Sequence, residues 1–199
     1  GQKKRISRAE ALINQSIKKK IKYLTLYTFS IDNWKRPKIE INFLFTLLET
    51  YIDKEFNNFK KKNIKIKILG DISKFPEGLK MKLRKVEKKT DNNSLMQINL
   101  ALNYGSRQEL INAFKKIIFN KKKKITENLI SNNLYTKNIP DPEILIRTGN
   151  TNRLSNFLLW QINYTEIFFV KKLWPDFNKN DFNKILNKFN RIKRNFGAI

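Results

Sequence analysis

The sequence contains neither cysteine nor histidine. Without cysteine there can be no disulfide framework, no thiolate nucleophile and no cysteine-ligated metal site. Without histidine the chain also lacks the commonest general base and metal ligand near neutral pH. Any acid–base or metal chemistry must therefore use carboxylates, amides or groups of the substrate.

Long apolar runs are missing as well. No uncharged stretch approaches the roughly 20 residues that a membrane-spanning helix needs, and no signal peptide is visible. We therefore expect a cytoplasmic protein. Because the sequence begins with Gly1 rather than methionine, we also expect that further residues precede it in the full-length protein.

Acidic residues are few relative to basic ones, 17 against 42, and the formal net charge is +25. The lysines are scattered through nearly every segment, and no aromatic stacking platform or known motif accompanies them, so nucleic-acid binding is not favoured. Lysine runs at 18–20, 60–62 and 121–124 lie where predicted helices end, as is typical of solvated lysines that match the helix dipole. Peripheral contact with an anionic lipid surface, such as the inner membrane surface, is the alternative use of this charge.

Helical and strand-like patterns alternate along all 199 residues, without repeats or a flexible linker. This order predicts an α/β fold, with a central, mostly parallel sheet flanked by helices in a single domain spanning 1–199. Strands are predicted at 23–30, 64–71, 95–105, 142–149 and 166–170. Helices are predicted at 5–19, 39–59, 77–89, 106–120, 126–134, 155–164 and 178–195.

Arginine collects where these strands end. In an open parallel sheet, ligands bind beyond the carboxyl ends of the strands. Three of the first four predicted strands are followed by an arginine among small hydrogen-bonding residues, namely Arg36, Arg107 and Arg147. A guanidinium is a planar fork that binds phosphate through two parallel bonds, so the pattern indicates phosphate recognition. Ser155 would add the N-terminus of the predicted helix 155–164. The simpler alternative is that these arginines pair with neighbouring acidic side chains.

The predicted helix at 39–59 carries more apolar residues than one buried stripe needs. An ordinary hydrophobic core is the simpler explanation. The alternative is that part of this face lines a hydrophobic tunnel. A tunnel beside phosphate-binding arginines would suit a lipid diphosphate.

Four stretches, in order, carry a family resemblance: "YLTLYTFSIDNWKRP", "ALNYGSRQEL", "IRTGNTNRLSNFLLWQINYTEIFF" and "LWPDF". They resemble the cis-prenyltransferase family, bacterial undecaprenyl diphosphate synthases in particular, and the resemblance extends over essentially the whole chain. It implies a homodimer whose subunits have a hydrophobic tunnel. It also implies repeated condensation of isopentenyl diphosphate onto farnesyl diphosphate to give undecaprenyl diphosphate, a lipid carrier for cell-wall synthesis, with Mg²⁺ assisting departure of the allylic diphosphate.

The resemblance also implies roles for individual residues. Asn33 matches an asparagine proposed to accept the proton, and Glu166 matches a glutamate that ligates magnesium and reaches in from the partner subunit. Met96 and the long helix match the tunnel wall. Residues that match the segment around the allylic substrate are Ser30, Ile31, Asp32, Trp34 and Arg36. Residues that match positions around the isopentenyl diphosphate are Arg147, Arg153, Leu154 and Ser155.

The chain departs from the family pattern in two places near these sites. Gln2 stands where the family has the histidine of a Gly-His pair, and is kept as a substrate-binding candidate. In the loop after the fourth strand, "NTNR" replaces the usual Gly-Glu-(Gln/His)-Arg. Asn150 thus replaces a glycine and Thr151 a glutamate, while Asn152, a candidate metal ligand, replaces a residue that is histidine in some members.

The family's hallmark, Asp-Gly-Asn-Gly-Arg-Trp with its catalytic aspartate, would lie before Gly1. A chain without that aspartate is expected not to turn over, so we expect the motif upstream in the full-length protein. The alternative is a catalytically impaired homologue that binds prenyl diphosphates without elongating them. The ending "FGAI" lacks the Arg-x-Gly of eukaryotic partner-subunit types, which favours a homodimer.

Overall fold

The structure is a computed structural model, and it describes residues 2–120 and 124–195. The chain divides into two compact units. We call residues 21–139 the middle unit, and the residues up to Lys20 together with those from Pro140 onward the terminal unit. The expectation of one domain spanning 1–199 stays a prediction.

The middle unit contains three strands and four α-helices among the described residues. A short 3₁₀ turn, Ile31–Lys35, follows its first strand directly. Its strands are β1 (Tyr23–Ser30), β2 (Ile64–Leu69) and β3 (Met96–Tyr104). Its helices are α2 (Lys38–Lys61), α3 (Glu77–Lys89), α4 (Ser106–Phe119) and α5 (Glu127–Ser131).

The terminal unit contains two strands and two α-helices among its described residues. A 3₁₀ turn, Trp174–Asp176, precedes the last helix. The strands are β4 (Ile144–Thr148) and β5 (Glu166–Val170), and the helices are α1 (Gln2–Lys18) and α6 (Lys179–Phe189).

All recorded strand pairs are parallel, in the order β1-β3-β2 in the middle unit and β4-β5 in the terminal unit. The central strand β3 is buried at nearly every position, as expected for a parallel strand covered on both faces. Helices α2 and α3 pack against β2. The predicted α/β class, with parallel strands flanked by helices, is therefore confirmed.

Helix α3 also satisfies backbone groups of β2. The amide of Ile66 donates to Thr90 Oγ1 at 3.0 Å, and the amide of Ile68 donates to Glu87 Oε1 at 2.9 Å. These side chains cover N–H groups that a free strand edge would offer to another chain.

Helix α2 is amphipathic rather than apolar on every side. A single stripe is buried, while Phe43 is 41 % exposed and Leu44 and Leu47 are half-buried. The stripe accounts for the core function that the sequence suggested. The remaining apolar side chains of α2 are the ones proposed to line the tunnel, and the tunnel stays a prediction. The buried apolar side chains are Ile41, Phe45, Leu48, Tyr51, Ile52 and Phe59.

Two predicted helices differ from the structure. The last helix ends at Phe189 rather than near residue 195, with Asn190 as its C-cap. Residues 155–164 form turns instead of a helix. None of the helices formed by the described residues is long and apolar enough to cross a membrane.

Candidate active site

The turn that follows β1 is capped by its own side chains. Asn33 Oδ1 accepts a hydrogen bond from the backbone amide of Ser30 at 2.8 Å, within a capping box. Ser30 and Asn33 are both half-buried. Because polar side chains at a turn start satisfy amides that have no helical partner, the Asn33 amide oxygen has a structural role in this turn.

Trp34 fixes the same turn to the ends of β2 and β3. Its indole Nε1–H donates to Asn103 Oδ1 at 2.7 Å, and Asn103 Nδ2 donates to the backbone oxygen of Asp71 at 2.6 Å. Asn103 is buried and lies near the end of β3, while Asp71 follows β2 by two residues. The ends of all three strands of the middle unit are thus connected through two hydrogen bonds.

Trp34 also packs in a cluster of aromatic side chains. The Trp34 ring contacts Phe29, Phe45 and Phe75 with centroid distances of 5.3, 5.8 and 6.1 Å, all with tilted or edge-on geometry. The three phenylalanines are buried. Such aromatic pairs each stabilise by about 0.5–1.5 kcal/mol beyond their area burial. The turn is therefore anchored on a rigid apolar base.

The charged side chains of this segment lie at the surface. Asp32 Oδ1 is 2.7 Å from Lys35 Nζ, and Arg36 Nη1 is 3.7 Å from Glu40 Oε2. Because all four side chains are more than half exposed, each pair contributes at most about 1 kcal/mol. Arg36 can exchange its weak contact with Glu40 for a stronger bond to a phosphate oxygen. Ile31, between Ser30 and Asp32, is half-buried.

The end of β2 approaches the end of β3 very closely at Gly70. This residue has φ +127°, and a Cβ placed on it would lie 1.9 Å from the backbone oxygen of Leu102. Only glycine fits both the backbone conformation and the space. The position of Asp71, and with it the acceptor used by Asn103, depends on this close approach.

The loop after β4 has a different architecture. Gly149 and Asn150 adopt φ values of +99° and +54°. Their amides donate to the backbone oxygens of Lys172 and Val170, at 2.8 and 3.2 Å. The loop therefore turns away from the strand in left-handed conformation, which glycine and asparagine tolerate best.

Arg147 is oriented by a residue of its own loop. Its Nε–H donates to Thr151 Oγ1 at 3.0 Å, and both side chains are half-buried. The bond fixes the plane of the guanidinium and thus the direction in which the fork faces. Thr151 here supplies an oxygen acceptor where the sequence comparison with cis-prenyltransferases expected a glutamate.

The prediction of a helix N-terminus at Ser155 is wrong. Ser155, Asn156 and Leu158 have φ values of +51°, +60° and +48°, whereas an α-helix needs values near −60°. Leu158 is buried, which accounts for the apolar pattern that suggested a helix. An anion at Ser155 would be bound by the side chain and the turn, without a helix dipole. The structure places Asn152, Arg153 and Ser155 at the surface, with Leu154 half-buried.

Glu166 opens β5 beside an arginine. Arg194 Nε lies 4.0 Å from Glu166 Oε1. The other two nitrogens of the guanidinium donate to Glu143 Oε1 at 3.0 Å and to the backbone oxygen of Tyr164 at 2.8 Å. The Glu166 side chain is 35 % exposed. It is therefore accessible to a cation, with part of its charge offset by Arg194.

Three features of the sequence analysis cannot be placed. The side chain of Gln2 lies outside the described part of the structure, as do Lys121–Lys123 and the "FGAI" ending. Arg107, the remaining strand-end arginine, is exposed in the first turn of α4.

Residues 1–197 match the prenyltransferase family of undecaprenyl diphosphate synthases. The chain belongs to this family. It is 41 % identical over 197 residues to the isoprenyl transferase of Rickettsia typhi, covering 99 % of this chain and 87 % of the relative. It is also 41 % identical to that of Thermotoga maritima, covering 96 % and 85 %.

Solved structures of the family show the same fold. A probable undecaprenyl diphosphate synthase from Campylobacter jejuni matches with a TM-score of 0.90 at 36 % identity, covering 100 % of this chain and 94 % of that one. Lavandulyl diphosphate synthase from Lavandula x intermedia, crystallised with dimethylallyl diphosphate, matches with a TM-score of 0.93 at 30 % identity, covering 98 % and 87 %.

The residues of this prenyltransferase fit a magnesium ion in part. Mg²⁺ prefers oxygen ligands, and proteins usually hold it through one or two carboxylates with substrate phosphates and water. Glu166 and Asn152 offer a carboxylate and an amide oxygen. Among the described residues no cluster of three or more acidic side chains forms a cage.

Sequence reasoning missed the connecting residues of the site. It treated Asn103 and Gly70 only as strand ends and Thr151 only as a missing glutamate. An asparagine within a strand that ends in Tyr104-Gly105 is one available signal, since asparagine is enriched at left-handed positions. The hydrogen bond from Arg147 to Thr151 spans four residues across a loop and has no sequence signature.

Proposed function

We propose that this prenyltransferase elongates farnesyl diphosphate by sequential cis-condensation of isopentenyl diphosphate, giving undecaprenyl diphosphate as a lipid carrier for cell-wall synthesis. The observation that carries the proposal is the pair of arginine-bearing segments beyond parallel strands. One is Ser30–Arg36 after β1, and the other is Arg147–Ser155 after β4. Two separate phosphate-binding segments suit a reaction between two diphosphates.

The segment Ser30–Arg36 is assigned to the allylic diphosphate. Arg36 binds the diphosphate in exchange for its surface contact with Glu40, because a charge-assisted bidentate bond is stronger than an exposed ion pair at 3.7 Å. Trp34 and Ile31 supply apolar surface beside the first carbons of the chain. The growing chain runs along the apolar side chains of α2 and past Met96, in a hydrophobic tunnel.

The segment Arg147–Ser155 is assigned to isopentenyl diphosphate. Arg147, held in plane by Thr151, and the exposed Arg153 bind the diphosphate oxygens. Ser155 donates its hydroxyl, and Leu154 contacts the five-carbon chain. Gln2 is a further substrate contact.

In each cycle one carbon–carbon bond forms between the two substrates as the bond between the allylic carbon and its diphosphate breaks. The isopentenyl unit loses one proton, for which Asn33 is the candidate acceptor. The Asn33 oxygen also accepts from the Ser30 amide at 2.8 Å. Because an amide oxygen is too weak a base to keep the proton, we infer that the proton passes to the released diphosphate. Mg²⁺, which Asn152 and Glu166 of the partner subunit would hold with the diphosphate oxygens, would supply the positive charge that favours departure of the diphosphate.

Assembly and location follow the same proposal. We infer a homodimer in which Glu166 serves the site of the partner subunit. The net charge of +25 favours peripheral contact of a cytoplasmic enzyme with the anionic inner membrane surface, where the product would be delivered.

The loop after β4 supports a second candidate. Asn150, Thr151 and Asn152 stand where a glycine and an acid are usual, so a homologue that binds prenyl diphosphates without elongating them is the alternative. The two candidates make the same binding prediction and differ in turnover.

The full-length protein should be incubated with labelled isopentenyl diphosphate, farnesyl diphosphate and Mg²⁺. Elongation predicts a butanol-extractable long-chain product. Binding of both substrates without such a product would favour the alternative. The reading frame upstream of Gly1 gives an independent check, since absence of an Asp-Gly-Asn-Gly-Arg-Trp motif there would contradict the enzymatic proposal.

A further inference from the structure

Two side-chain hydrogen bonds connect the Ser30–Arg36 segment to the rest of the middle unit. Trp34 Nε1 donates to Asn103 Oδ1 at 2.7 Å, and Asn103 Nδ2 donates to the backbone oxygen of Asp71 at 2.6 Å. We call this pair the Trp34–Asn103 link. Both amide atoms of one asparagine are used, one toward the proposed substrate segment and one toward the sheet.

The backbone at Asn103 is irregular where the link forms. The parallel register between β1 and β3 pairs Phe29 with Leu102 and Ser30 with Tyr104, so that Asn103 is skipped. Asn103 has φ +46°. Asparagine is enriched in this left-handed region, where most other residues are strained. The irregularity therefore lies at the end of β3, next to Tyr104, which pairs with Ser30 at the start of the Ser30–Arg36 segment.

The ring of Trp34 is positioned by apolar contacts, but apolar contacts are not directional. The hydrogen bond to Asn103 adds the direction, because a partly buried indole N–H needs an acceptor. Trp34 lies in the same turn as Asn33 and two residues before Arg36. Fixing the indole therefore fixes the backbone that presents the proposed proton acceptor and the proposed diphosphate ligand.

We propose that Asn103 is a positioning residue that holds the Ser30–Arg36 segment in its substrate-binding conformation through Trp34. Asn103 itself does not contact the substrate. The inference rests on the proposed function, in which this segment binds the allylic diphosphate. Loss of the link lowers the affinity for farnesyl diphosphate and leaves the affinity for isopentenyl diphosphate unchanged, because the latter is assigned to Arg147–Ser155.

The test is a double-mutant cycle in the full-length protein, with both affinities measured by isothermal titration calorimetry. Asn103→Gly removes both hydrogen bonds and still permits the positive φ. Trp34→Phe keeps an aromatic ring and removes the N–H donor together with the second ring of the indole. Each single variant is expected to bind farnesyl diphosphate about tenfold more weakly. The double variant is expected to be no weaker than the weaker single variant, because both changes break the same link.

Asn99→Gly is the matched control. Asn99 is also a buried asparagine of β3. Its Nδ2 donates to Thr25 Oγ1 at 3.0 Å, and its Oδ1 accepts from Gln97 Nε2 at 2.8 Å. It should lower thermal stability while both affinities stay near wild type. An equal loss of farnesyl diphosphate affinity in Asn99→Gly would show that general destabilisation is the cause and would overturn the inference.

Other outcomes are equally decisive. The inference would be overturned if the losses of farnesyl diphosphate affinity were additive in the double variant. It would also be overturned if the affinities for the two diphosphates fell equally. If Asn103→Gly does not fold, Trp34→Phe alone must show the selective loss, and unchanged affinity there would contradict the inference. A wild-type protein that fails to bind farnesyl diphosphate would refute the proposed function and the inference with it. If the wild type binds farnesyl diphosphate and Asn103→Gly binds it with the same affinity, the inference is refuted while the proposed function stands.

Discussion

The segment after β1 and the loop after β4 both place an arginine beyond a parallel strand, yet they are held in different ways. Ser30–Arg36 is a capped turn whose tryptophan packs on buried phenylalanines and bonds to Asn103. The loop 149–156 turns through left-handed residues, and its Thr151 orients Arg147, which lies in β4 just before the loop. The first segment is fixed by the core, whereas the second is held by backbone bonds to Val170 and Lys172 and by the bond between Arg147 and Thr151.

This difference fits the two substrates assigned to them. In the proposed reaction the long allylic chain enters along the core, so the residues assigned to its diphosphate gain from rigid attachment to that core. Isopentenyl diphosphate is small and must be replaced in every cycle, which suits a loop at the surface.

The largest contrast is expected between Gly70, which follows β2 and precedes the Asp71 acceptor of Asn103, and Gly149 of the loop after β4. Gly70→Ala would place a Cβ 1.9 Å from the Leu102 oxygen, whereas a Cβ on Gly149 meets nothing within 4 Å. Gly70→Ala should therefore cost about 3 kcal/mol or more of the free energy of unfolding, or prevent folding. Gly149→Ala, with only backbone strain, should cost about 1–2 kcal/mol.

Urea denaturation followed by circular dichroism measures both costs. Equal costs would show that the end of β2 is no more tightly packed than the loop, and would break the comparison.

A smaller effect is expected at Thr151. Thr151→Val removes the acceptor for Arg147 Nε while keeping the shape of the side chain. The affinity for isopentenyl diphosphate should fall about fivefold, the effect of one ordinary hydrogen bond. Thr151→Ser keeps the hydroxyl and serves as the control. Calorimetric titration measures the affinity for isopentenyl diphosphate. An unchanged affinity in Thr151→Val would show that Thr151 does not orient Arg147 for binding.

The smallest effect concerns the cap of α6. The Lys172 ammonium and the amide of Asn178 hold the pKa of Asp181 below its usual value. A lowered pKa contributes stability above the unfolded pKa near 4, and this stability is lost as the pH falls through the folded pKa. Asp181→Ala should cost about 1 kcal/mol at pH 7, and the difference from wild type should shrink below pH 4.

Asp181→Asn is the control, since it keeps an acceptor for the Asn178 amide and should cost less. Urea titrations at pH 7 and pH 3 provide the measurement. A difference that is as large at pH 3 as at pH 7 would contradict the electrostatic part of this explanation.

The sequence predicted the five strands closely, because their β-branched and aromatic runs end at turn residues such as Gly70-Asp71. It also predicted which strand ends carry the arginines. It did not predict that residues 155–164 are turns. The apolar run "FLLW" suits a helix, and only the fold decides that Leu158 is buried from a left-handed backbone conformation.

The connections within the site depend on contacts between residues distant in sequence. Asn103 reaches Trp34 across 69 residues and Asp71 across 32. No local pattern encodes such pairs. The residues assigned to bind substrate were therefore visible in the sequence, whereas those that hold them in place became visible only in the fold.

The account assigns each diphosphate to one region, and crossed arginine variants test that assignment most directly. Arg36→Ala and Arg147→Ala should be titrated with farnesyl and isopentenyl diphosphates, beside the exposed Arg191→Ala as control. We expect about 30-fold weaker farnesyl diphosphate binding only in Arg36→Ala, and about 30-fold weaker isopentenyl diphosphate binding only in Arg147→Ala. Equal losses of both ligands in either variant, or the reversed pattern, would contradict the account.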